Sequence, residues 1–549
     1  MEDHVRQSGH GQVHDMQGGF RAGRSALDQV WLLQRSIEFQ QRLKRDTFVV
    51  FLDIKKAYDT VPFSVMLKCL VDANLPDWFI RFCYHWIQDH HRRLRLPSNE
   101  KIIKIRRGLP QGSVLSPFLF NIFIDSLVRQ LEPKGCHCER DDDIVKDDMW
   151  CGAILYADDI ALSANTHEDV QGMIDVCCHW ASVNGMEFSS SKSKWMMFPP
   201  GCVQKNAPIA WESTNLFLGS DKLERVNQFV YLGVAMDLRR PRSCMVDCTP
   251  RFSGTLQTLK NQSFTFNPKF GCPVWVGRMF ARASYVPRAF FGMELGLTFG
   301  RRPDSGATVY HAFARSVLGT FRCTSSEKML SFLGWPSYMT FMDMAFLRYF
   351  VRVVSCAPTP VARMAIIWLG SKESASSSLW WRSVIKAGRR IGVPLDGLQV
   401  DSENGFVSYA VKYAERTEMR LRELESELVP HRTVDEAGLY AADVFVFHRG
   451  FFNPRWDGEY QHIDCYMCQE DGGDTPSHVA MCQDDRVVRL RQRVANSIGW
   501  TEEEVVEFVT TRHDWRSLGR DVVQELAEFV HKLVDLRRKC RIRFIQAGL

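Results

Sequence analysis

No stretch of about 18 consecutive apolar residues occurs in the 549-residue chain, so nothing in the sequence reads as a membrane-crossing helix. The most apolar segment, PFLFNIFIDSLV, is interrupted by Asn121 and Asp125. The opening MEDHVRQSGHGQVHDMQGGF lacks the apolar core of a secretory signal, and the expectation is a soluble, intracellular protein. Internal repeats, long Gly/Ser linkers and low-complexity tracts are absent too, which excludes solenoid, collagen-like and disordered classes. An excess of one charge is also lacking. Lys and Arg number 69 against 64 Asp and Glu, a net +5 that neither demands nor excludes a nucleic-acid partner. What is present is 45% hydrophobic and 12% aromatic residues, enough for three or four domains, each with its own core. The 17 cysteines then read as reduced thiols or metal ligands.

Ala26–Gln41 carries Leu27, Val30, Trp31 and Ile37 at helical spacing. Phe48–Leu52 (FVVFL) is a short apolar, β-branched and aromatic run, which predicts a strand buried on both faces and ending at Asp53. After a Gly/Pro turn at 108–116, Ser116 is placed to cap a helix with Pro117 in its first turn. Ala153–Ala157 and Ile160–Ser163 read as two strands of a tight hairpin with Asp158-Asp159 between them, and the acidic segment 139–150 as a solvated loop. From about 240 to 350 the chain becomes helical and aromatic. Val522, Leu526, Phe529, Leu533 and Leu536 mark a late amphipathic helix that leads into the basic run RRKCRIR.

Asp53 and Asp158-Asp159 end apolar strands, where an ionised carboxylate is costly without a compensating positive charge. A divalent metal is the usual compensation, since hard oxygen ligands suit Mg²⁺ or Mn²⁺. Asp53 and Asp158 stand 105 positions apart, so only neighbouring strands in one sheet can unite them. Taken alone, a "DD" between strands is an ordinary polar turn; its surroundings argue otherwise. FLDIKKAYDTVP (51–62), GLPQGSVLSP (108–117), YADD (156–159), NGMEFSSSKSKWMMF (184–198) and FVYLGV (229–234) stand in order, preceded by GGFRAGRSALDQV (18–30). This series resembles the motifs of reverse transcriptases, specifically those of non-LTR retrotransposons.

The resemblance implies metal binding by Asp53, Asp158 and Asp159, with the Ile54 carbonyl as an extra ligand. It implies Tyr58 beneath the sugar of the incoming nucleotide, as a gate against a 2′-hydroxyl. Gln111 and Gly112 would contact nucleotide or template, Lys192 would neutralise or protonate the leaving pyrophosphate, and Tyr231, Leu232 and Gly233 would grip the primer end. Each has a plainer reading: core packing for Tyr58, a surface turn for Gln111-Gly112, a solvated lysine, and a simple β-turn at 231–233. Ser189 and Ser193 depart mildly from the family's Asn and Thr.

Near the C-terminus, Cys465, Cys468, His478 and Cys482 supply three thiols and an imidazole, the ligand set of a closed tetrahedral Zn²⁺ site. The segment is similar to the CCHC element that follows the polymerase in non-LTR elements. Arg486, Arg489, Arg491 and Arg493 come directly after and favour phosphate contact, with a solvated helix face as the alternative. Cys136, Cys138, Cys177 and Cys178 show no four-ligand spacing and read as packing or loop thiols.

Together these features predict an α+β right-hand polymerase. Partial fingers and palm would cover 1–237, a thumb 238–350 (with its FGMELG stretch), a helical connector 351–445, and the zinc segment with its basic helix 446–549. The implied reaction is RNA-templated attack of a DNA primer 3′-hydroxyl on a dNTP, with Mg²⁺ as cofactor and no membrane partner. Residence would be nuclear, near a chromosomal target. The family carries a longer fingers segment ahead of GFRAGRS and an upstream endonuclease, neither of which is legible here. A second expectation is therefore kept: an inactive, truncated remnant that only binds nucleic acid.

Overall fold

The strand β1 (Thr47–Asp53) has Thr47 to Leu52 buried without interruption, as its apolar, β-branched sequence predicts. Such a strand needs a neighbour on each edge. The computed structural model supplies them: β7 (Asp159–Ala164) and β8 (Lys194–Phe198) both run antiparallel to β1. With β6 (Ala153–Tyr156) and a two-residue β9 (Glu224–Arg225), the sheet order is β9-β8-β1-β7-β6. The structure describes residues 12–88, 91–95, 100–105, 107–132, 134–142, 145–200, 214–238, 254, 257, 274–295, 304–318, 326–355, 359–369, 379–393, 405–428, 480, 482–510, and single positions 522, 525, 526, 529, 532, 533 and 536.

Two units divide the chain. The first takes Met1–Asp247, Gly292–Phe299 and Asp343–Arg420; the second takes Cys248–Phe291, Gly300–Met342 and Leu421–Leu549.

In the first unit, α1 (Ala26–Arg42) begins with a capping box: Ser25 Oγ accepts from the Asp28 N–H at 3.3 Å, and the Ser25 N–H donates to Asp28 Oδ2 at 2.8 Å. The sequence suggests a one-sided helix, yet Gln29, Gln34, Arg35, Ser36 and Gln40 are buried along with Val30, Trp31, Leu33 and Ile37. Neighbours close over its second face: Trp31 meets Trp380 at 5.0 Å, and Gln40 Nε2 donates to the His137 carbonyl at 2.6 Å. Asp28 is held from outside the helix by the Tyr349 hydroxyl at 3.2 Å and by the Arg352 guanidinium. Two further helices, α4 (Ser116–Leu131) and α5 (His167–Val183), pack through Phe123 and Trp180, whose ring centroids lie 5.4 Å apart. The α5 helix lies in turn against β1 and β7.

Three local expectations are corrected. Ser116 is the first helical residue of α4, not its cap. Leu115 takes the cap position, while the Ser116 hydroxyl donates to the Pro110 carbonyl at 2.7 Å and ties the preceding turn to the helix. The acidic segment 139–150 is no loop: β4 (His137–Asp142) and β5 (Val145–Trp150) form a hairpin with His137 opposite Trp150. In the sequence the run of acidic residues hides any alternation there. Finally, the turn between β6 and β7 is Ala157-Asp158, because Tyr156 pairs directly with Asp159.

The second unit is helical and aromatic where described. Tyr310 stacks on Phe341 at 5.0 Å, Phe290 meets Phe341 at 5.3 Å, and Trp335 lies 5.6 Å from Tyr310. Leu526, Phe529 and Leu533, the apolar face expected of the late helix, are fully buried. Of the four arginines after Cys482, Arg491 alone is drawn into the fold, while Arg486, Arg489 and Arg493 stay exposed. Arg491 is 7% exposed and binds Glu502 at 2.7 Å and the Ala480 carbonyl at 3.0 Å. Arg486 grips Asp484 at 2.7 Å and 2.8 Å, and Arg489 Nε donates to the Asp485 carbonyl. No helix is long and apolar enough to cross a membrane among the described residues.

Candidate active site

The site grows from the end of β1. Its register sets Asp53 directly opposite Asp159 on β7, and the β6–β7 turn carries Asp158 beside them. Two carboxylates far apart in the chain thus meet through one antiparallel pairing. Around Asp53 the loop before β8 closes like a collar. Ile54 bridges to Phe188, the Lys55 N–H donates to the Glu187 carbonyl, and the Ser189 N–H donates to the Asp53 carbonyl at 2.8 Å. The Asp53 N–H donates to Ser193 Oγ at 3.2 Å. The collar delivers Lys192, whose Nζ lies 3.3 Å from Asp53 Oδ2.

Electrostatics at this corner are unfavourable without added positive charge. Burial, then the charge of Asp53, raises the Asp158 carboxyl above its usual range, against the pull of its own backbone and of Lys192. Asp159, whose side chain still reaches solvent, is pushed up to about 6 by its surroundings and by the charges of Asp158 and Asp53. Asp53 Oδ2 is buried and accepts no hydrogen bond. A crowded, oxygen-only donor set, whose Asp53 Oδ2 has an ion-pair contact with Lys192 and no hydrogen bond, suits a hard divalent cation. Among the described residues no three His, Cys, Asp or Glu side chains already enclose one point; Lys192 supplies the positive charge nearest Asp53.

The segment that follows β1 is locked to the second motif. The Leu109 N–H donates to the Tyr58 carbonyl at 2.7 Å and the Gly108 N–H to the Val61 carbonyl at 2.8 Å. Gly108 has φ +94°, and a Cβ there would lie 2.6 Å from the Asp59 carbonyl oxygen, so only glycine permits the approach. Gln111 Nε2 lies 3.4 Å from both oxygens of Asp59, which orients its amide beside Tyr58. Gly112, with φ +86°, turns in open space. The Tyr58 ring stacks on Phe120 at 4.9 Å and 18°. Its hydroxyl is buried without a hydrogen bond, and burial together with the charge of Asp158 pushes it up to about 12. Tyr58 thus packs like a core residue at the base and faces the carboxylates at its tip.

Tyr231 ends β10 (Gln228–Tyr231), which pairs with β11 (Val234–Asp237) across Leu232-Gly233, at φ +48° and +78°. This is the tight turn the sequence suggests. The hairpin docks on the Phe51 face of β1: Phe229 stacks on Phe51 at 4.2 Å and Tyr231 lies 5.3 Å from it. The Tyr231 hydroxyl donates to the Ile154 carbonyl at 3.3 Å. Phe51 and Asp53 share a face by the period of two, so the hairpin stands over the carboxylate side of the sheet.

The structure therefore gathers Asp53, Ile54, Tyr58, Gln111, Gly112, Asp158, Asp159, Lys192 and Tyr231 to Gly233 in the first unit. Cys465, Cys468 and His478 lie outside the described residues; Cys482 is buried and accepts the Asp484 N–H at 3.5 Å. Cys136, Cys138 and Cys177 are buried packing thiols, and Cys178 is half-buried. Two residues that the sequence did not single out, Gln17 and Asn121, prove to be buried and hydrogen-bonded beside the β6–β7 turn. Their one available signal was a polar side chain inside an apolar run.

A sheet carrying carboxylates at the tips of its central strands, with helices behind and a hairpin over the acidic face, fits a right-hand polymerase fold of mixed helix and sheet. Residues 1–236 match the family described as reverse transcriptase (RNA-dependent DNA polymerase). A retrovirus-related Pol polyprotein of the R2 retrotransposable element from Nasonia vitripennis is 25% identical over 237 residues, 42% of this chain and 22% of that protein. The R2 counterpart from Popillia japonica is 30% identical over 278 residues, 50% of this chain and 43% of that protein. Over this N-terminal part the chain is similar to reverse transcriptases, among them those of R2 retrotransposable elements. The chain spans less than half the length of these two relatives. A solved apo telomerase from Candida tropicalis superposes with a TM-score of 0.32 at 10% identity, covering 74% of this chain and 59% of that one.

Proposed function

We propose that the chain is an RNA-directed DNA polymerase, extending a DNA primer along an RNA template by nucleotidyl transfer from a dNTP. The observation that carries this reading is the β1–β7 register, which sets Asp53 against Asp159 with Asp158 at the adjoining turn. Mg²⁺ held by these three carboxylates, with the Ile54 carbonyl as a further ligand, would acidify the primer 3′-hydroxyl and stabilise the leaving pyrophosphate. The chain's own groups then do the positioning. Tyr58, stacked on Phe120, supplies a flat floor for the deoxyribose and leaves no room for a 2′-hydroxyl. Gln111, aligned by Asp59, and Gly112 present donors to the nucleotide. Lys192 exchanges Asp53 for the pyrophosphate oxygens. The Tyr231–Gly233 turn holds the primer end over the carboxylates. None of these groups forms a covalent intermediate, so catalysis rests on orientation and charge.

The wider reading assigns 238–350 to a thumb, 351–445 to a connector and 446–549 to a segment in which Cys465, Cys468, His478 and Cys482 bind Zn²⁺. The N–H received by Cys482 is of the type that supports a metal-bound thiolate. The same reading places the site of action in the nucleus, where a chromosomal target would lie. Primer extension on an RNA template with Mg²⁺ tests the activity. Extension by the wild type that Asp158→Asn reduces at least a thousandfold is expected. Retained RNA binding without extension by the wild type would instead make the chain a nucleic-acid-binding remnant.

A further inference from the structure

We propose that Gln17 is a positioning residue of the catalytic turn: its carboxamide clamps both peptide groups of Ala157 and thereby aims Asp158. The inference rests on the polymerase reading above. Gln17 is fully buried. Its Oε1 accepts from the Ala157 N–H at 2.8 Å, and its Nε2 donates to the Ala157 carbonyl at 3.1 Å. The Gly19 N–H reaches the same Oε1 at 2.8 Å. One side chain thus satisfies the donor and the acceptor of the single residue between Tyr156 and Asp158.

That residue needs holding. Ala157 has φ +56°, a left-handed conformation that is strained for any residue carrying a Cβ. The turn has only two residues, and the second is Asp158. Any relaxation of Ala157 rotates the peptide from which the carboxylate hangs. The segment bearing Gln17 is itself fixed beside β6, since the Leu155 N–H donates to the Met16 carbonyl at 3.0 Å and the Gly18 N–H to the Leu155 carbonyl at 2.8 Å. A Cβ on Gly19 would lie 2.3 Å from the Ala157 nitrogen, so the approach is possible only for glycine. Asn121 Nδ2, on α4, donates to the Gly19 carbonyl at 2.8 Å. A continuous path of hydrogen bonds therefore runs from α4 through Gly19 and Gln17 to the turn. A glutamate would keep the acceptor but orphan the Ala157 carbonyl and add a fourth negative charge. A methionine would keep the volume and lose every bond.

The test compares wild type, Gln17→Met, Gln17→Glu and a control, Gln40→Met, which removes an equally buried glutamine amide that donates to the His137 carbonyl instead. Two quantities are read on the full chain: single-turnover primer extension against Mg²⁺, and Mn²⁺ affinity by paramagnetic resonance without nucleic acid. Gln17→Met is expected to slow extension 10- to 100-fold at saturating dNTP, with the KM for dNTP within twofold, and to weaken Mn²⁺ binding at least fivefold. Gln40→Met is expected to lower the melting temperature and leave both quantities unchanged. Should Gln17→Met not fold, Gln17→Glu carries the same prediction. Equal extension and Mn²⁺ affinity in wild type and the Gln17 variants would overturn the clamp while leaving the polymerase reading intact. A wild type that neither extends a primer nor binds Mn²⁺ would overturn both.

Discussion

Replacing Gly108 by alanine should damage the fold and the nucleotide site together, and Gly112→Ala provides the internal reference. Both glycines have positive φ, +94° and +86°, so both substitutions cost about 1–2 kcal/mol in backbone conformation. Only at Gly108 does the new methyl collide, 2.6 Å from the Asp59 carbonyl oxygen; at Gly112 nothing lies within 4 Å. Relieving that contact means separating the two strands of chain joined by Gly108 N–H to Val61 and Leu109 N–H to Tyr58. Weakening two such bonds costs about 1 kcal/mol each. Gly108→Ala should therefore lose roughly 3–4 kcal/mol and Gly112→Ala roughly 1–2 kcal/mol, a gap of about 2 kcal/mol. Urea denaturation of the two variants side by side reads the gap directly. Because Tyr58 and Gln111 ride on the displaced segment, Gly108→Ala should also raise the KM for dNTP several-fold at temperatures where it remains folded. Equal stability losses in the two variants would refute the steric argument and reduce both glycines to ordinary turn residues.

The remaining expectations concern charge and shape at the carboxylates. With the Asp159 carboxyl at about 6 in the metal-free protein, protons compete with Mg²⁺ below that value; affinity should fall as pH is lowered through about 6, as calorimetric titration would show. The sign for stability is opposite: because the folded pKa is raised, metal-free protein should lose stability as pH rises from about 4 to about 6, and added Mg²⁺ should restore it. A pH-independent Mg²⁺ affinity would remove Asp159 from the site. Tyr58→Val should open space beneath the sugar and admit ribonucleotides in primer-extension competition; unchanged sugar selectivity would leave Tyr58 as packing for Phe120 alone.

Much of this protein is legible in the chain without coordinates. The strand FVVFL needs only its unbroken β-branched and aromatic composition, and the Leu232-Gly233 turn needs only a glycine between alternating apolar residues. The order of the six motifs singles out Asp53, Asp158, Asp159, Lys192 and Gln111 through its resemblance to reverse transcriptases, and the cost of ionised carboxylates at the ends of apolar strands points separately to the three aspartates. Sequence goes astray where one residue can serve two local partners. Ser116 has the chemistry of a cap and spends its hydroxyl on Pro110, and a run of acids at 139–150 masks a hairpin.

Tertiary structure alone decided the rest. No spacing rule tells that Asp53 faces Asp159 across a particular register, that Arg491 is buried against Glu502 and the Ala480 carbonyl, or that α1 is buried on its polar side. Nor does anything local mark Gln17 as a partner of Ala157, 140 positions away. Composition and period are properties of neighbours in the chain. Pairing register and the satisfaction of buried amides depend on which distant segments arrive, and only the folded molecule brings them together.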